Sequence, residues 1–196
     1  MTYSLARLIS NILNPFLVSF TVITVLSFES TVSTSDAFKW LAISIVLSVL
    51  PVFIFVVYMV RIRQLDGIFI NPRKQRTRIY VLATCLGIAG VVVLHFTQAP
   101  KLMFVTFVTG LASVVIFMSI NLYWKISLHT GFIAAAVTII VIVYGGFLSF
   151  IVLLVPLVGW ARLNMKLHTW QQTTCGAVLA AGIAVISFAS FGMIGG

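Results

Sequence analysis

Two histidines stand at the entrances to apolar runs, each with cations nearby: Lys125-Ile-Ser-Leu-His129 and Arg162-Leu-Asn-Met-Lys-Leu-His168-Thr-Trp-Gln-Gln172. In a chain that is 61% hydrophobic and 8% charged, such groups mark a polar site rather than ordinary surface. His168 and Gln172 are four residues apart, the spacing that puts two side chains on one helix face. The Gln172 amide oxygen is therefore expected to accept a hydrogen bond from one imidazole N–H and to turn the other nitrogen outward as a nucleophile. Arg162 lies just before, in a turn, where a guanidinium grips a phosphate through two parallel hydrogen bonds. Ser127 and His129 open another expected helix, whose first backbone N–H groups favour an anion, and His129 is positioned to protonate a leaving oxygen. Arg73-Lys74-Gln75-Arg76-Thr77-Arg78 supplies further positive charge, as does Lys125. Nucleophile, acid and charge clamp are the parts phosphoryl transfer needs, with no metal and no other cofactor.

The elements that must hold these groups are read from hydropathy. A chain with mean hydropathy +1.19 and three acidic residues among 196 is not a soluble globule, which devotes about a quarter of its residues to charge. Its apolar runs outnumber what a single cleavable signal peptide explains, so the first is read as a retained span. Spans are expected near 8–28, 39–60, 79–97 and 102–123, each with about 20 mostly apolar residues. From Thr130 to Gly159 the apolar run is too long for one crossing and is broken by Tyr144-Gly145-Gly146, which suggests two short helices in a hairpin. A last span covers about 172–192. The expected fold is thus all-α: one polytopic transmembrane helical bundle over 1–196, of six to seven spans with the fifth and sixth short. Asn14-Pro15 and Pro51 are expected to mark bends or helix ends.

Seven crossings put both site histidines on one side, together with Arg7, Arg61, Arg63, Arg73, Lys74, Arg76, Arg78, Lys125, Arg162 and Lys166, and leave Lys39 and Lys101 opposite. The positive-inside rule makes the crowded side cytoplasmic in a prokaryotic plasma membrane, and Tyr58, Tyr80, Tyr123, Trp124, Trp160 and Trp170 gather there as an aromatic belt. The net charge of +9 sits beside spans, where lipid phosphates are nearer partners than nucleic acid. Cys85 and Cys175 fall inside apolar runs without metal-ligand spacing and are expected to be small buried side chains. His95, in Leu94-His95-Phe96, lies toward the opposite face without a cation and is expected to do no chemistry. Gly176, Ala177, Ala180, Ala181 and Gly182 form a small-residue face suited to helix packing.

The spacing Arg162-x5-His168-x3-Gln172-x3-Gly176 resembles the third signature of the type 2 phosphatidic acid phosphatase superfamily, Ser-Arg-x5-His-x3-Asp with Gly four residues on. Ile126-Ser127-Leu128-His129 resembles its second signature, Pro-Ser-Gly-His, and Arg73 to Arg78 loosely resembles the first, Lys-x6-Arg-Pro. The resemblance covers roughly 73–180, with a phosphatase-like core over about 73–192. It implies that His168 is transiently phosphorylated, that His129 protonates the leaving group, and that Arg162 with Ser127 holds the phosphoryl oxygens. Arg73 and Arg76 would complete the clamp, with Lys74, Arg78 and Lys125 as further candidates. The implied activity is hydrolysis of a phosphomonoester or diphosphate of a membrane lipid, such as phosphatidic acid, phosphatidylglycerophosphate or a polyprenyl phosphate; a further copy of the chain, in a homo-oligomer, is an additional candidate partner. Four positions depart from the pattern: Ala161 stands for Ser, Leu128 for Gly, Ile126 for Pro and Gln172 for Asp. The amide of Gln172 orients a ring without bringing negative charge. A second expectation is therefore a weak or inactive relative that binds or moves phosphorylated lipids.

Other classes fit poorly. A magnesium-dependent prenyltransferase wants clustered carboxylates, and the acids are Glu29, Asp36 and Asp66. Paired haem histidines leave the cations without a purpose. An intramembrane serine protease lacks a Gly-x-Ser-x-Gly-like nucleophile, and a transporter gathers polar groups at the midplane rather than at one interface.

Overall fold

The computed structural model describes residues 2–68 and 72–194, and every regular element among them is a helix. This is what a lipid-exposed backbone demands, because a helix satisfies its own N–H and C=O groups. The first two helices are α1 (Thr2–Ile12) and α2 (Pro15–Glu29), which meet at 42°. Asn14 causes the break: its Oδ1 accepts from the N–H groups of Phe16 and Leu17 at 2.9 and 3.1 Å, while Pro15 takes the first helical position, where no N–H is needed. The stretch expected as one span over 8–28 is therefore a bent pair.

Next come α3 (Thr34–Leu47) and α4 (Val49–Arg61), interrupted at Ser48 because Pro51 has no N–H for the Leu47 carbonyl and crowds it. The antiparallel helices α5 (Arg73–Phe96) and α6 (Lys101–Asn121) follow. After α7 (Leu128–Tyr144), Gly145 adopts φ +82, a conformation that favours glycine, and a 3-10 turn over Gly146–Leu153 feeds α8 (Leu154–Asn164). The chain's last helix is α9 (Trp170–Ser190). Among the described residues, five stretches are long and apolar enough to cross a membrane: Thr34–Arg61, α5, α6, Gly146–Asn164 and α9. The α1–α2 pair would make a sixth, and α7 is a shorter apolar helix of 17 residues.

The chain forms two compact units, Met1–Val22 with Lys125–Gly196, and Ile23–Trp124. In the first, Val18, Ile133, Ala136, Val137 and Val158 form a core between α2, α7 and α8. In the second, Trp40, Leu94 and Phe107 do the same for α3, α5 and α6. Cys85 and Cys175 are exposed, contrary to expectation. On a membrane helix both faces are apolar, so an apolar neighbourhood in sequence does not separate inward from outward positions.

Candidate functional site

The unit that carries His129 and His168 is organised by a seam between the parallel helices α7 and α9. Gly176 permits it: a Cβ there would lie 2.7 Å from the Ser127 carbonyl oxygen and 3.1 Å from Thr130 Oγ1. With glycine in place the backbones come close enough to bond directly. The Ser127 N–H donates to the Gln172 carbonyl at 3.2 Å, and the Thr130 hydroxyl donates to the Thr173 carbonyl at 2.9 Å. Ala180 and Ala184 continue the inward small-residue stripe, whereas Gly182 faces open space. Lys125 donates from Nζ to the Leu167 carbonyl at 2.8 Å, tying the segment before α7 to the segment before α9. Ser127 caps α7 by accepting from the Thr130 N–H at 3.4 Å, and His129 sits buried in that first turn.

His168 is not on a helix. It precedes Thr169, the residue that caps α9, so its partnership with Gln172 has a different origin from the helical spacing expected. Thr169 and Gln172 form a capping box. The Thr169 hydroxyl accepts from the Gln172 N–H at 3.4 Å, and Gln172 Oε1 accepts from the Thr169 N–H at 3.3 Å. The same Oε1 lies 3.0 Å from His168 Nδ1. A backbone N–H can only donate, so the amide must present its oxygen, and Nδ1 must then carry the proton. When the ring is neutral, this arrangement leaves its lone pair on Nε2.

Arg162 occupies the last turn of α8, buried, and its Nη1 donates to Ser10 Oγ at 2.9 Å. Its backbone carbonyl accepts from the Leu167 N–H at 3.1 Å while the Lys166 N–H donates to Leu163 at 2.9 Å, with Lys166 at φ +54. This Schellman turn reverses the chain between α8 and His168 using a lysine where glycine is usual. Ser127, His129, Arg162 and His168 are thus all buried within one unit, and Lys125 is partly buried there. That unit contains four Lys or Arg residues and no Asp or Glu.

Arg73, Lys74, Arg76 and Arg78 belong to the other unit, and they lie on the first turns of α5 rather than before it. Helical spacing sorts them: Arg76 is buried, Arg73 intermediate, Lys74 and Arg78 exposed. Arg73 Nη1 donates to the Leu122 carbonyl at 2.6 Å, and Asn121 Nδ2 donates back to the Arg73 carbonyl at 3.2 Å, which clasps the start of α5 to the end of α6. Arg78 donates to Gln64 Oε1 at 2.6 Å. His95 meets Phe96 edge-on and Phe104 at a tilt near the end of α5.

Ser10 and Thr169 were not among the expected site residues. Thr169 was legible, since Thr-x-x-Gln before an apolar run is a capping-box pattern. Ser10 was not, because 152 residues separate it from Arg162. No family profile, curated protein or solved structure matches the chain.

Proposed function

We propose that the chain is an integral membrane phosphatase acting on a phosphomonoester or diphosphate of a lipid through a phosphohistidine. The observation that carries this is the capping box that fixes the His168 tautomer: a nucleophilic imidazole needs its lone pair on a defined nitrogen, and Gln172 defines it. Support also comes from charge, because a unit with Arg162 buried and no carboxylate of its own is suited to an anion. In the proposed reaction His168 Nε2 attacks phosphorus. The bond from phosphorus to the lipid oxygen breaks as His129 passes its proton to that oxygen. Water then attacks the phosphohistidine, giving its proton to His129 and releasing phosphate. Arg162 neutralises the transferring group. Arg73 and Arg76, which the family resemblance assigns to the clamp, are kept as candidates for it together with Lys74 and Arg78, and the exposed Lys74 and Arg78 are also suited to lipid headgroups.

The substrate class is phosphatidic acid, phosphatidylglycerophosphate or a polyprenyl phosphate or diphosphate. The charge bias of the loops supports a site facing the cytoplasm of a prokaryote, in a bundle of six to seven spans. The test is trapping of ³²P on purified protein from a lipid labelled in its terminal phosphate. An acid-labile adduct is expected in the wild type and none in His168→Ala. An active wild type that never forms the adduct rejects the nucleophile, and a wild type that binds the lipid without releasing phosphate favours a binding or transport protein.

A further inference from the structure

We propose that Ser10, on the amphipathic helix α1, is a positioning residue for Arg162, so that a helix lying along the lipid–water boundary sets the grip on the phosphoryl group. The inference rests on the phosphatase reading and adds an element that the sequence signatures do not contain. Ser10 Oγ accepts from Arg162 Nη1 at 2.9 Å. Both residues are deeply buried, at 1% and 3% exposure. A carboxylate in this place would hold the guanidinium equally well but cancel its charge, whereas a hydroxyl supplies an acceptor and no charge. The five N–H donors of an arginine also allow one to be held from behind while others meet an anion.

The form of α1 explains how a residue near the chain's start reaches this point. Ala6 and Ser10, one turn apart, face inward, where α1 packs on α8, the helix that carries Arg162. Leu5, Leu8 and Ile12 recur at intervals of three and four residues and are all exposed. Ser4, Arg7 and Asn11 have the same spacing on a third face and are exposed as well. A helix of 11 residues is about 16 Å long, half of what a hydrocarbon core requires. Three faces, one to protein, one apolar and one polar, are those of a helix lying in the interface with its apolar stripe sunk among acyl chains. The 42° bend at Asn14 separates it from α2.

The test is a double-mutant cycle on purified full-length protein, read as phosphate release from a lipid phosphate in mixed micelles. Ser10→Ala is expected to lower kcat/KM about tenfold, and Ser10→Thr, which keeps the hydroxyl, to restore most of it. In an Arg162→Lys background, Ser10→Ala is expected to cause no further loss, because the fork it orients is gone. If turnover there falls below detection, the same cycle is read on orthovanadate, as protection against thermal unfolding. A Ser10→Ala protein with full activity, or one losing the same factor in both backgrounds, overturns the inference while leaving the phosphatase reading in place. A wild type that neither releases phosphate nor is protected by orthovanadate overturns both.

Discussion

The α7–α9 seam and the α5–α6 hairpin solve one packing problem with different chemistry. Each has a glycine where a Cβ would clash with the neighbouring helix, and a carboxamide at its polar end. In the hairpin, Gly90 would place a Cβ 2.6 Å from the Phe107 ring, and Asn121 donates to a backbone carbonyl of α5. In the seam, Gly176 would place a Cβ 2.7 Å from a backbone carbonyl, and Gln172 accepts from a backbone N–H and from a histidine. An aromatic side chain can rotate aside, but a backbone already bonded across the seam cannot. The hairpin's amide only fastens two helices together, whereas the seam's amide also dictates which nitrogen of a ring carries a proton. The proposed reaction needs fixed backbone at the seam, because there the His168 imidazole would have to be aimed to within a fraction of an ångström.

The largest expected effect separates the two amides. Gln172→Leu removes the acceptor that fixes the His168 tautomer and should lower turnover by about 10² to 10⁴, by analogy with loss of the orienting group in a serine protease triad. Gln172→Glu preserves the capping box and adds a charge to stabilise the imidazolium, so it should retain or raise turnover. Asn121→Leu should leave turnover of the folded protein unchanged and lower its stability by about 1–2 kcal/mol in thermal unfolding. Equal losses of activity in Gln172→Leu and Asn121→Leu would erase the distinction between aiming and fastening.

The two glycines come next. Gly176→Ala should destabilise at the upper end of the roughly 1–3 kcal/mol range for overpacking, and Gly90→Ala at the lower end. Gly176→Ala should also cost about 10²-fold in activity by moving Ser127 and the first turn of α7, a displacement of the kind to which oriented reactions are sensitive. Thermal unfolding and phosphate release on the same preparations read both quantities. A smaller effect follows from Thr169→Ala, which removes one side of the capping box at a cost of about 1 kcal/mol while leaving Gln172 its bond to His168.

Much of this was legible in the sequence, at different depths. Apolar runs announced the helices, and Tyr144-Gly145-Gly146 and Asn14-Pro15 marked their breaks, because glycine and proline act through local backbone geometry. The pairing of His168 with Gln172 was legible for the wrong reason. Spacing of four suggests one face of a helix, yet the bond is made across a capping box, where the same spacing folds the Gln172 side chain back over the residues before the helix. The division of the α5 cations into buried Arg76 and exposed Lys74 and Arg78 follows helical phase, but only once α5 is known to start at Arg73, six residues before the apolar run expected from 79. Ser10 and the exposed cysteines were out of reach. The first depends on a contact across 152 residues, and the second on telling protein from lipid, which hydropathy does not do.

The smallest expected effect returns to how the helices stop. Three helices end in Schellman turns whose left-handed residue is not glycine: Arg63 at φ +58, Gln98 at φ +54 and Lys166 at φ +54. A side chain in that conformation costs about 1 kcal/mol relative to glycine, partly offset because glycine gives the unfolded chain more freedom. Gln98→Gly, at the turn between α5 and α6, should therefore stabilise the protein by up to about 0.5–1 kcal/mol in thermal unfolding and leave turnover unchanged. Lys166→Gly should give a similar gain in stability. It stands two residues before His168 in a turn that Arg162 closes through its own carbonyl, so added backbone freedom there loosens the approach to the proposed nucleophile and should lower turnover slightly. Should both glycine variants gain stability and keep full turnover, the α8–α9 turn would be a connector like the α5–α6 turn, and the aiming of His168 would rest on the capping box alone.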